Sequence, residues 1–590
     1  MLFHKHSDNY TPFENNEFSL TPQTVIVHAP TNLNLFTHFE DLPIQETGIF
    51  MKTLDCIIVG YNDVDFNEFM QKQKQFINRS GSYVELKTNS VMLNNKRSTY
   101  MELLNEVLTN STGRPSNLSA FEMPSLALAY LASFLRKRNF SVEIVNFFNF
   151  DKSKLVDLLL ESPRTVVITT TYYVDDEPIK QIVKFIREHN TEVKIIVGGP
   201  RIFNICYANK PHTQDLLFRT IGADIYVNDS QGETTLEKVL ICLRNSSFKD
   251  LPKVPNVIYK VDSKTFNRTE RVIESNDLNG NAVDWRYFKP DFYVPTTYMR
   301  TARSCPFSCA FCNYPSFAGS HTVSSIETIE AEMRYLHDNG VKNIIFIDDT
   351  FNVPLPRFKN ICRMMIRNKF NFNWVSFFRC SNSDDEAFDL MQQSGCIGVY
   401  LGIESGDQQI LKNMNKFADV NKYRYGIKKL TERGILTLAS LIVGFPGENR
   451  ETILNTINFL QESPTTFYNV QLYYHDTLAP IQKRKEEFGI IGSGYSWQHN
   501  SMGWEQAADW MEYMLKNISN TIPLPLYGFS IWALPYLMQH HMSVSQIINF
   551  ARDARRLLLR SLPDTPVDFS DDIKQMASNF GTPESTAIAS

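Results

Sequence analysis

The chain has 590 residues, of which 43% are hydrophobic and 21% charged, and its formal net charge is −5. This composition is that of an ordinary folded protein, which excludes wholesale disorder, and the length predicts about three to four domains. No apolar run is long enough to span a membrane, the first residues lack an apolar signal core, and no basic block suggests a nucleic-acid partner. We therefore expect a cytoplasmic α/β protein with neither membrane nor nucleic acid as a partner.

Residues 1–50 are polar and irregular, and we assign them to an N-terminal extension. In residues 51–250, short β-branched runs alternate with helical stretches, which predicts a doubly wound, Rossmann-like parallel sheet. The predicted strands are 54–60, 142–146, 165–170, 193–197 and 224–227.

Ligands of doubly wound sheets bind beyond the carboxyl ends of the strands. The residues at these ends combine glycines, which let a bulky ligand approach the backbone, with side chains that can hydrogen-bond it. A nucleotide-like cofactor would suit them, although each is common in ordinary loops. The candidates are Gly60, Tyr61, Asn62, Thr169, Thr170, Thr171, Gly198, Gly199, Pro200, Gly232 and Glu233.

The first βα connection, from about residue 61 to 123, is unusually long. Insertions of this size are often functional lids, so it would either cover a ligand of the first sheet or be decoration. Residues 251–293 hold two short strand-like runs and a segment bearing Pro and aromatic residues, which we assign to a linker.

Residues 294–475 repeat the alternation of strands and helices. Six strands with intervening helices predict a partial (β/α)₆ barrel, whose chemistry gathers at the carboxyl ends of the strands. Ser324 and Glu327 have the spacing of a capping box that opens the first helix. The predicted strands are 294–302, 343–347, 374–378, 398–403, 435–443 and 467–474.

At the end of the first barrel strand, Cys305, Cys309 and Cys312 form a C-x₃-C-x₂-C run. Thiolates select iron–sulfur clusters, zinc or copper. A [4Fe–4S] cluster normally takes four ligands, so three Cys leave one iron open. The alternatives are a structural zinc site whose fourth ligand lies elsewhere, or three unrelated buried thiols.

The other barrel strands also end in polar residues or glycine. Taken alone, each carboxylate is explained equally well as a helix N-cap or a surface ion pair. The candidates at these ends are Asp348, Asp349, Arg379, Glu404, Ser405 and Gly444.

Residues 476–590 predict a mainly helical cap and a polar tail that would close the barrel and shape a substrate pocket. A His at the end of an aromatic strand is more often a structural hydrogen-bonding group than a catalyst. The catalytic and substrate-pocket candidates are Tyr474, His475, Trp497 and His499.

The Cys run, with Phe311 before the third Cys, resembles the signature of the radical S-adenosylmethionine (SAM) enzymes. The resemblance implies that the open iron is chelated by the amino and carboxylate groups of SAM. It further implies that SAM is contacted by the cofactor-site candidates of the barrel, with Gly444 on the adenine side. The family pattern G-x-I-x-G-x-x-E is matched at Ile442 and Gly444, whereas its acid is displaced by one residue to Glu448.

The first domain is similar to the cobalamin-binding domain that precedes the barrel in one large class of radical SAM enzymes. The D-x-H-x-x-G motif that supplies a cobalt-ligating His elsewhere is absent from this sequence. The resemblance therefore implies cobalamin bound without a protein imidazole on its lower face. The alternative is another nucleotide-like ligand, or none.

Within this class, the runs LDCIIVGYND, TTTYYV, IIVGGPRI and YYHD…YSWQHNSM are most similar to the P-methyltransferases of phosphinothricin-type antibiotic biosynthesis. That resemblance implies two uses of SAM, one to methylate cob(I)alamin and one to form a 5′-deoxyadenosyl radical. The substrate radical then takes the methyl group from methylcobalamin.

The implied methyl acceptor is an unactivated carbon or a phosphinate phosphorus of a small-molecule or peptide substrate, in natural-product biosynthesis. The implied electron donor is a protein such as flavodoxin or ferredoxin. Two alternatives stay open. One is a non-methylating cobalamin-dependent enzyme of ring contraction, cyclisation or epimerisation, and the other is a non-enzymatic protein with a zinc-filled Cys site.

Overall fold

The structure is a computed structural model that describes residues 54–63, 65–76, 80–171, 173, 175–245 and 247–580. The extension predicted for residues 1–50 and the last ten residues lie outside the described residues. The described residues form two seven-stranded sheets with helices between their strands, three small sheets and a set of C-terminal helices. None of the helices within these ranges combines the length and apolarity that crossing a membrane requires.

The strands and helices are numbered along the chain. The strands are β1 Cys56–Tyr61, β2 Val91–Leu93, β3 Lys96–Ser98, β4 Val142–Phe147, β5 Thr165–Thr169, β6 Lys194–Gly198, β7 Ile225–Val227, β8 Val257–Lys260, β9 Phe266–Arg268, β10 Thr296–Met299, β11 Ala302–Arg303, β12 Thr322–Val323, β13 Asn343–Phe346, β14 Asn373–Phe378, β15 Cys396–Glu404, β16 Leu436–Val443, β17 Phe467–Leu472, β18 Ile491–Ser493, β19 Ser496–His499, β20 Met502–Gly503 and β21 Ile522–Pro523. The helices are α1 Phe66–Phe76, α2 Gly81–Lys87, α3 Tyr100–Thr112, α4 Leu126–Arg136, α5 Lys152–Leu160, α6 Glu177–His189, α7 Pro200–Ala208, α8 Pro211–Ile221, α9 Glu233–Arg244, α10 Pro290–Tyr293, α11 Tyr314–Ala318, α12 Ile326–Asp338, α13 Leu355–Asn368, α14 Asp385–Gln393, α15 Gln408–Asn413, α16 Val420–Glu432, α17 Arg450–Glu462, α18 Lys485–Phe488, α19 Trp504–Asn517, α20 Ala533–Gln539, α21 Val544–Ser561 and α22 Ser570–Phe580.

The first sheet has the strand order β4-β1-β5-β6-β7-β8-β9. Its first five strands are parallel, and β8 and β9 join antiparallel at one edge. Strand β1 is buried on both faces, because Ile58 packs into one hydrophobic cluster and Ile57 and Val59 into another. Such a doubly covered strand has a continuous apolar sequence, which explains why it was recognisable. The doubly wound fold predicted for this part of the chain is confirmed.

Strands β8 and β9 lie within the segment predicted as a linker, residues 251–293. They extend the first sheet rather than separating two domains. The boundaries proposed for the domains, 51–250, 294–475 and 476–590, stay predictions.

The second sheet has the order β10-β13-β14-β15-β16-β17-β21, and all of its strands are parallel. Neighbours in space follow one another along the chain, as in a (β/α) barrel. The six predicted strands are present, and the short β21 adds a seventh beside β17. Because β10 and β21 are the two edges, the barrel is open, as the predicted partial barrel requires.

Helix α12 begins one residue later than the predicted capping box suggested. Ser325, not Ser324, is the N-cap, and its hydroxyl accepts from the amide of Thr328 at 3.2 Å. Ser324 lies outside the helix, because its own amide donates to the carbonyl of Thr301 at 2.8 Å.

The long β1–α4 connection packs beside the last barrel strand and the C-terminal helices. Glu85 of α2 is buried and accepts from the amide of Leu472, at the end of β17, at 2.7 Å. Burial raises the pKa of Glu85 to about 8. Tyr100 of α3 contacts the rings of Phe529 and Phe550. This insertion therefore covers the open side of the barrel.

The mainly helical C-terminal region reaches the inner face of the second sheet. Trp532, just before α20, stacks on Tyr400 of β15 and contacts Phe377 of β14. A side chain at Gly398 would come within 3.0 Å of Ile531. The C-terminal region therefore packs against β14 and β15, and it supports the barrel strands whose carboxyl ends carry the site residues.

Candidate active site

The entry to the Cys run is fixed by Asp348, which follows β13. Its buried carboxylate accepts from the amides of Thr301 and Ala302 at 2.6 and 2.9 Å, and from the Thr301 hydroxyl. With three donors already bound, the carboxylate holds the segment that leads into the Cys loop, residues 304–312. The contact between Asp348 and SAM that the sequence suggests stays a prediction.

The rest of the Cys loop is held by two later turns. The amide of Ala310 donates to the carbonyl of Met414 at 2.7 Å, and Asn415 Nδ2 donates to the carbonyl of Ser308 at 2.9 Å. On the other side, the amide of Ile481 donates to the carbonyl of Ala310 at 2.9 Å. The loop is therefore clamped between the end of α15 and the segment before α18.

The three predicted cluster ligands are free thiols of one loop. Across the part of the chain that the structure describes, no three His, Cys, Asp or Glu side chains are already gathered as a metal site. Burial raises the pKa of Cys312 to about 11. Burial also raises the pKa of Cys309, against which the charges of Lys416 and Arg379 act. The charge of Cys305 also acts on both other thiols, and it raises their pKa values further.

Arg379, at the end of β14, is a buried cation beside this loop. Its guanidinium lies over the ring of Phe307, 3.8 Å from the centroid. Its Nη2 is buried and has no hydrogen-bond partner among the described residues. A desolvated guanidinium donor without a partner suits a carboxylate ligand, because a charge-assisted bond offsets the desolvation.

Glu404, at the end of β15, forms a buried ion pair. Its Oε1 accepts from Lys416 Nζ at 2.7 Å, and Lys416 lies over the ring of Phe311, 5.6 Å from the centroid. The neighbouring Ser405 is fully buried, and its hydroxyl pairs with Thr456. Glu404 is therefore linked through Lys416 to Phe311 of the Cys loop. Ser405 instead bonds to Thr456 of α17 in the interior.

Asp349, the other carboxylate of the predicted pair, is exposed, whereas Asp348 is buried. Desolvation by the surrounding protein and the negative charge of the adjacent Asp348 raise the pKa of Asp349 to about 6. Tyr314 and Arg300, which are close enough to act on this carboxylate, favour its charged form. Of the two predicted acids, Asp349 is thus the one that can meet a ligand.

Gly444, after β16, has a φ of +91°, and a side chain there would come within 2.5 Å of Trp497. Its amide donates to the buried Glu448 at 2.6 Å, and its carbonyl pairs with His499 Nε2 at 3.0 Å. The displaced acid of the family pattern, Glu448, thus folds back on the turn. Only a glycine fits this close-packed position.

Three of the four predicted pocket residues point into the fold. Trp497 donates to the carbonyl of Tyr473 at 2.6 Å and stacks on His499. His475 is buried and pairs with the Tyr473 hydroxyl at 3.1 Å. All three rings bond other protein groups, and Trp497 and His499 support the turn at Gly444. Tyr474 alone is largely exposed, at 55%, and it lies close enough to Arg201 of α7 for that charge to act on it.

The buried Glu448 gives a testable pH dependence. Burial raises its pKa to about 8, against an ordinary value of 4.5. Between these values the folded state keeps a proton that the unfolded state loses, so the free energy of unfolding falls as pH rises. We expect Glu448→Gln, which keeps an oxygen acceptor for Gly444, to reduce this fall by up to about 1.4 kcal/mol per pH unit. Urea unfolding at pH 5.5 and 7.5 measures it. The exposed Glu451→Gln is the control, and a slope unchanged in Glu448→Gln would contradict the assignment.

In the first sheet, several candidate residues serve the backbone of neighbouring strands. Thr169 donates to the carbonyl of Gly60 at 3.0 Å. Thr170 donates to the carbonyl of Gly198 at 3.0 Å and accepts from the amide of Arg201 at 3.1 Å. These hydroxyls therefore shape the strand ends rather than pointing a free donor at a ligand.

The remaining candidates mostly set the path of the backbone. Thr171 is half-buried beside these strand ends. The others are Tyr61, buried against Phe121; Gly199 and Gly232, with φ of +109° and +72°; Pro200, the first residue of α7; and Glu233, whose carboxylate accepts from Asn276 Nδ2 at 2.7 Å.

Two buried polar groups at these strand ends lack a partner among the described residues. They are Asn62 Oδ1, after β1, and Asp229 Oδ2, after β7. Unpaired buried polar groups are rare and call for a ligand or water. Asn62 was predicted, whereas Asp229 was missed, although its place three residues before Gly232 could have indicated it.

The carboxyl ends of the two sheets face one another. Phe203 of α7 contacts Phe317 of α11 with ring centroids 4.4 Å apart. Arg300, after β10, lies 4.5 Å from the ring centroid of Tyr130 in α4. Arg303, which the sequence did not single out, donates to the carbonyl of Asn276 at 2.9 Å, and its buried Nε and Nη1 have no partner among the residues that the structure describes. The Cys loop and the strand ends of the first sheet thus border one cleft.

Comparison with known families assigns both halves of this arrangement. The model of the radical SAM superfamily matches residues 299–460, which include the Cys loop and five of the six predicted barrel-strand ends. The model of the B12 binding domain matches residues 118–219, which include the ends of β5 and β6. The chain is a cobalamin-dependent radical SAM enzyme.

Named relatives of this radical SAM enzyme agree with the assignment. An uncharacterized methyltransferase of Pyrococcus horikoshii is 27% identical over 350 residues, which are 58% of this chain and 73% of the relative. The anaerobic magnesium-protoporphyrin IX monomethyl ester cyclase of Cereibacter sphaeroides is 23% identical over 376 residues, 61% of this chain and 60% of the relative. The solved radical SAM methyltransferase TsrM of Kitasatospora setae has the same fold, with a TM-score of 0.52 at 18% identity over 74% of this chain and 86% of its own.

These matches confirm the predicted enzyme class, a radical SAM methyltransferase, and the predicted cofactors [4Fe–4S], SAM and cobalamin. The residues fit them. Cys305, Cys309 and Cys312 would hold the cluster, and Arg379 and Asp349 offer partners of opposite charge to the two ends of an amino acid. The orphan atoms of Asn62 and Asp229 lie where the first sheet would receive cobalamin.

Proposed function

We propose that this enzyme transfers a methyl group to an unactivated carbon or to a phosphinate phosphorus of a small-molecule substrate, in natural-product biosynthesis. The methyltransferase among its relatives supports the reaction class. The similarity of its strand-end runs to the P-methyltransferases supports the acceptor. When bound, the cluster and SAM supply a hydrogen-abstracting radical, and cobalamin supplies the methyl group.

The observation that carries the proposal is the shared cleft. The Cys loop and the strand ends of the first sheet border it, and contacts such as Phe203–Phe317 fix their separation. A substrate held there would meet both cofactors without moving between sites, which favours sequential hydrogen abstraction and methyl transfer. Tyr474, exposed at the rim, is the pocket candidate that offers a surface to that substrate.

The protein's own groups position and shield the reacting parts. Arg379 and Asp349 would orient the amino-acid end of SAM, and the Glu404–Lys416 pair holds the wall next to Cys309. Gly444 presents backbone at a turn where any side chain would clash with Trp497. None of these roles requires a protein group to remove a proton from the substrate.

The alternative is a non-methylating enzyme of ring contraction, cyclisation or epimerisation, which the cyclase among the relatives favours. The test uses protein reconstituted anaerobically with cluster, cobalamin, reductant and SAM, with nucleoside products measured by mass spectrometry. We expect both 5′-deoxyadenosine and S-adenosylhomocysteine, the latter only when cobalamin is present. Deoxyadenosine alone would favour the alternative, and neither product from protein with an intact cluster would overturn the proposal.

A further inference from the structure

Phe417 is displayed at the surface in a way that the fold does not require. It is 72% exposed, more than any other aromatic residue that the structure describes. Its φ is +49°, and that of Asn415, two residues earlier, is +51°. Left-handed backbone costs a non-glycine residue about 1 kcal/mol or more. Two such residues in three, ending in an exposed phenyl ring, indicate a surface that is shaped for contact.

The turn that carries Phe417 is bonded directly to the Cys loop. Met414 accepts from the amide of Ala310, and Asn415 donates to the carbonyl of Ser308 at 2.9 Å. Ser308 and Pro306, which lie between Cys305 and Cys309, are themselves exposed. A protein that covers Phe417 would therefore rest on the backbone that joins two predicted cluster ligands.

Exposed lysines lie on the helix that precedes this turn and on the neighbouring 480–488 segment. Lys412, Lys483 and Lys485 are exposed, and none has a carboxylate within ion-pair distance among the described residues. Arg484 connects this segment to the turn by donating to the carbonyl of Asn413 at 3.1 Å.

The acids of the same region are fewer. Glu487 is bound by Arg484, and Asp419 caps α16 by accepting from two of its amides. Glu486 is the remaining exposed acid of the 480–488 segment. Basic charge is thus in excess, which attracts an acidic partner and speeds its encounter.

We propose that this surface, formed by Pro306, Ser308, Lys412, Phe417, Lys483 and Lys485 and here called the Phe417 face, docks a small acidic one-electron carrier protein. The proposal rests on the proposed function, because reductive cleavage of SAM needs an electron. The carrier loses one electron and the cluster gains it, and no bond or proton is transferred. An aromatic centre with a charged rim is the usual anatomy of such a transient interface.

The test compares a protein reductant with a chemical one. Holoenzyme with cluster and cobalamin is mixed with photoreduced flavodoxin or with titanium(III) citrate, and cluster reduction is followed by absorbance and by EPR. We expect Phe417→Glu to slow reduction by flavodoxin at least about tenfold and to leave reduction by titanium(III) citrate unchanged. The charge reversal Lys412→Glu with Lys483→Glu should have the same effect without removing the ring. Added salt should slow the flavodoxin reaction of the unmodified enzyme.

Leu160→Glu, at a 75% exposed position at the end of α5, is the matched control and should behave like the unmodified enzyme. Reduction of Phe417→Glu by flavodoxin at the normal rate would overturn the proposal. Equal slowing of cluster reduction with both reductants would also overturn it. So would a change in sedimentation on mutation of the Phe417 face, which would show that the face binds a second copy of the chain. Because cluster reduction is read before SAM cleavage, an enzyme that is reduced by flavodoxin yet forms no deoxyadenosine would overturn the proposed function and leave the Phe417 face intact.

Discussion

Replacement of Cys309 by alanine should abolish cleavage of SAM. Cys309 is the central thiol of the Cys loop and is buried, which raises its pKa, and the charges of Lys416 and Arg379 act against that rise. Without it, two thiols remain, which is too few for a site-differentiated [4Fe–4S] cluster. We expect a loss of deoxyadenosine formation on the order of 10³-fold or more. Iron and sulfide analysis with EPR would show the missing cluster, and mass spectrometry the missing product.

Cys206→Ala provides the matched control. Cys206 is a half-buried thiol of α7, outside the Cys loop, so its removal should leave iron content and SAM cleavage close to normal. SAM cleavage retained by Cys309→Ala would show that the ligand assignment is wrong. Stoichiometric zinc without sulfide in the unmodified protein would instead return the Cys run to the structural-zinc alternative.

The fold was predictable because its strands are covered on both faces. Buried parallel strands have continuous β-branched sequences, and β1 and β16 were recognised within about two residues of their ends. The two antiparallel strands β8 and β9 were predicted as part of a linker, because their exposed faces give them mixed sequences. The docking of the insertion through Glu85 involves a residue 387 positions from its partner, a separation that local patterns do not encode.

The site was predictable only to the level of strand ends. A position after a parallel strand lies at the catalytic edge, but the sequence does not say whether its side chain turns towards the cleft or back into the protein. His475, Trp497 and His499 have the residue types of a pocket, yet their polar atoms bond the neighbouring turns. The orphan groups of Asp229 and Arg303 became visible only when burial and bonding were known.

The same ambiguity separates Asp348 from Asp349, and mutation of each should give a different defect. Asp348→Ala would leave the amides of Thr301 and Ala302 unpaired in the interior, at about 1–3 kcal/mol for each. The entry to the Cys loop would then loosen. We expect a lower melting temperature, less bound iron, and SAM cleavage reduced about a hundredfold, since small misplacements of reacting groups have effects of that size.

Asp349→Asn should preserve the melting temperature and the iron content, because the Asp349 side chain faces the cleft rather than the interior. The substitution should instead weaken the binding of SAM. Loss of one charged hydrogen bond predicts a dissociation constant for SAM about tenfold higher, which corresponds to about 1.4 kcal/mol. Equilibrium dialysis of SAM, iron analysis and thermal unfolding distinguish the two defects. If Asp349→Asn bound SAM normally while Asp348→Ala kept its iron but lost SAM, the roles would be reversed.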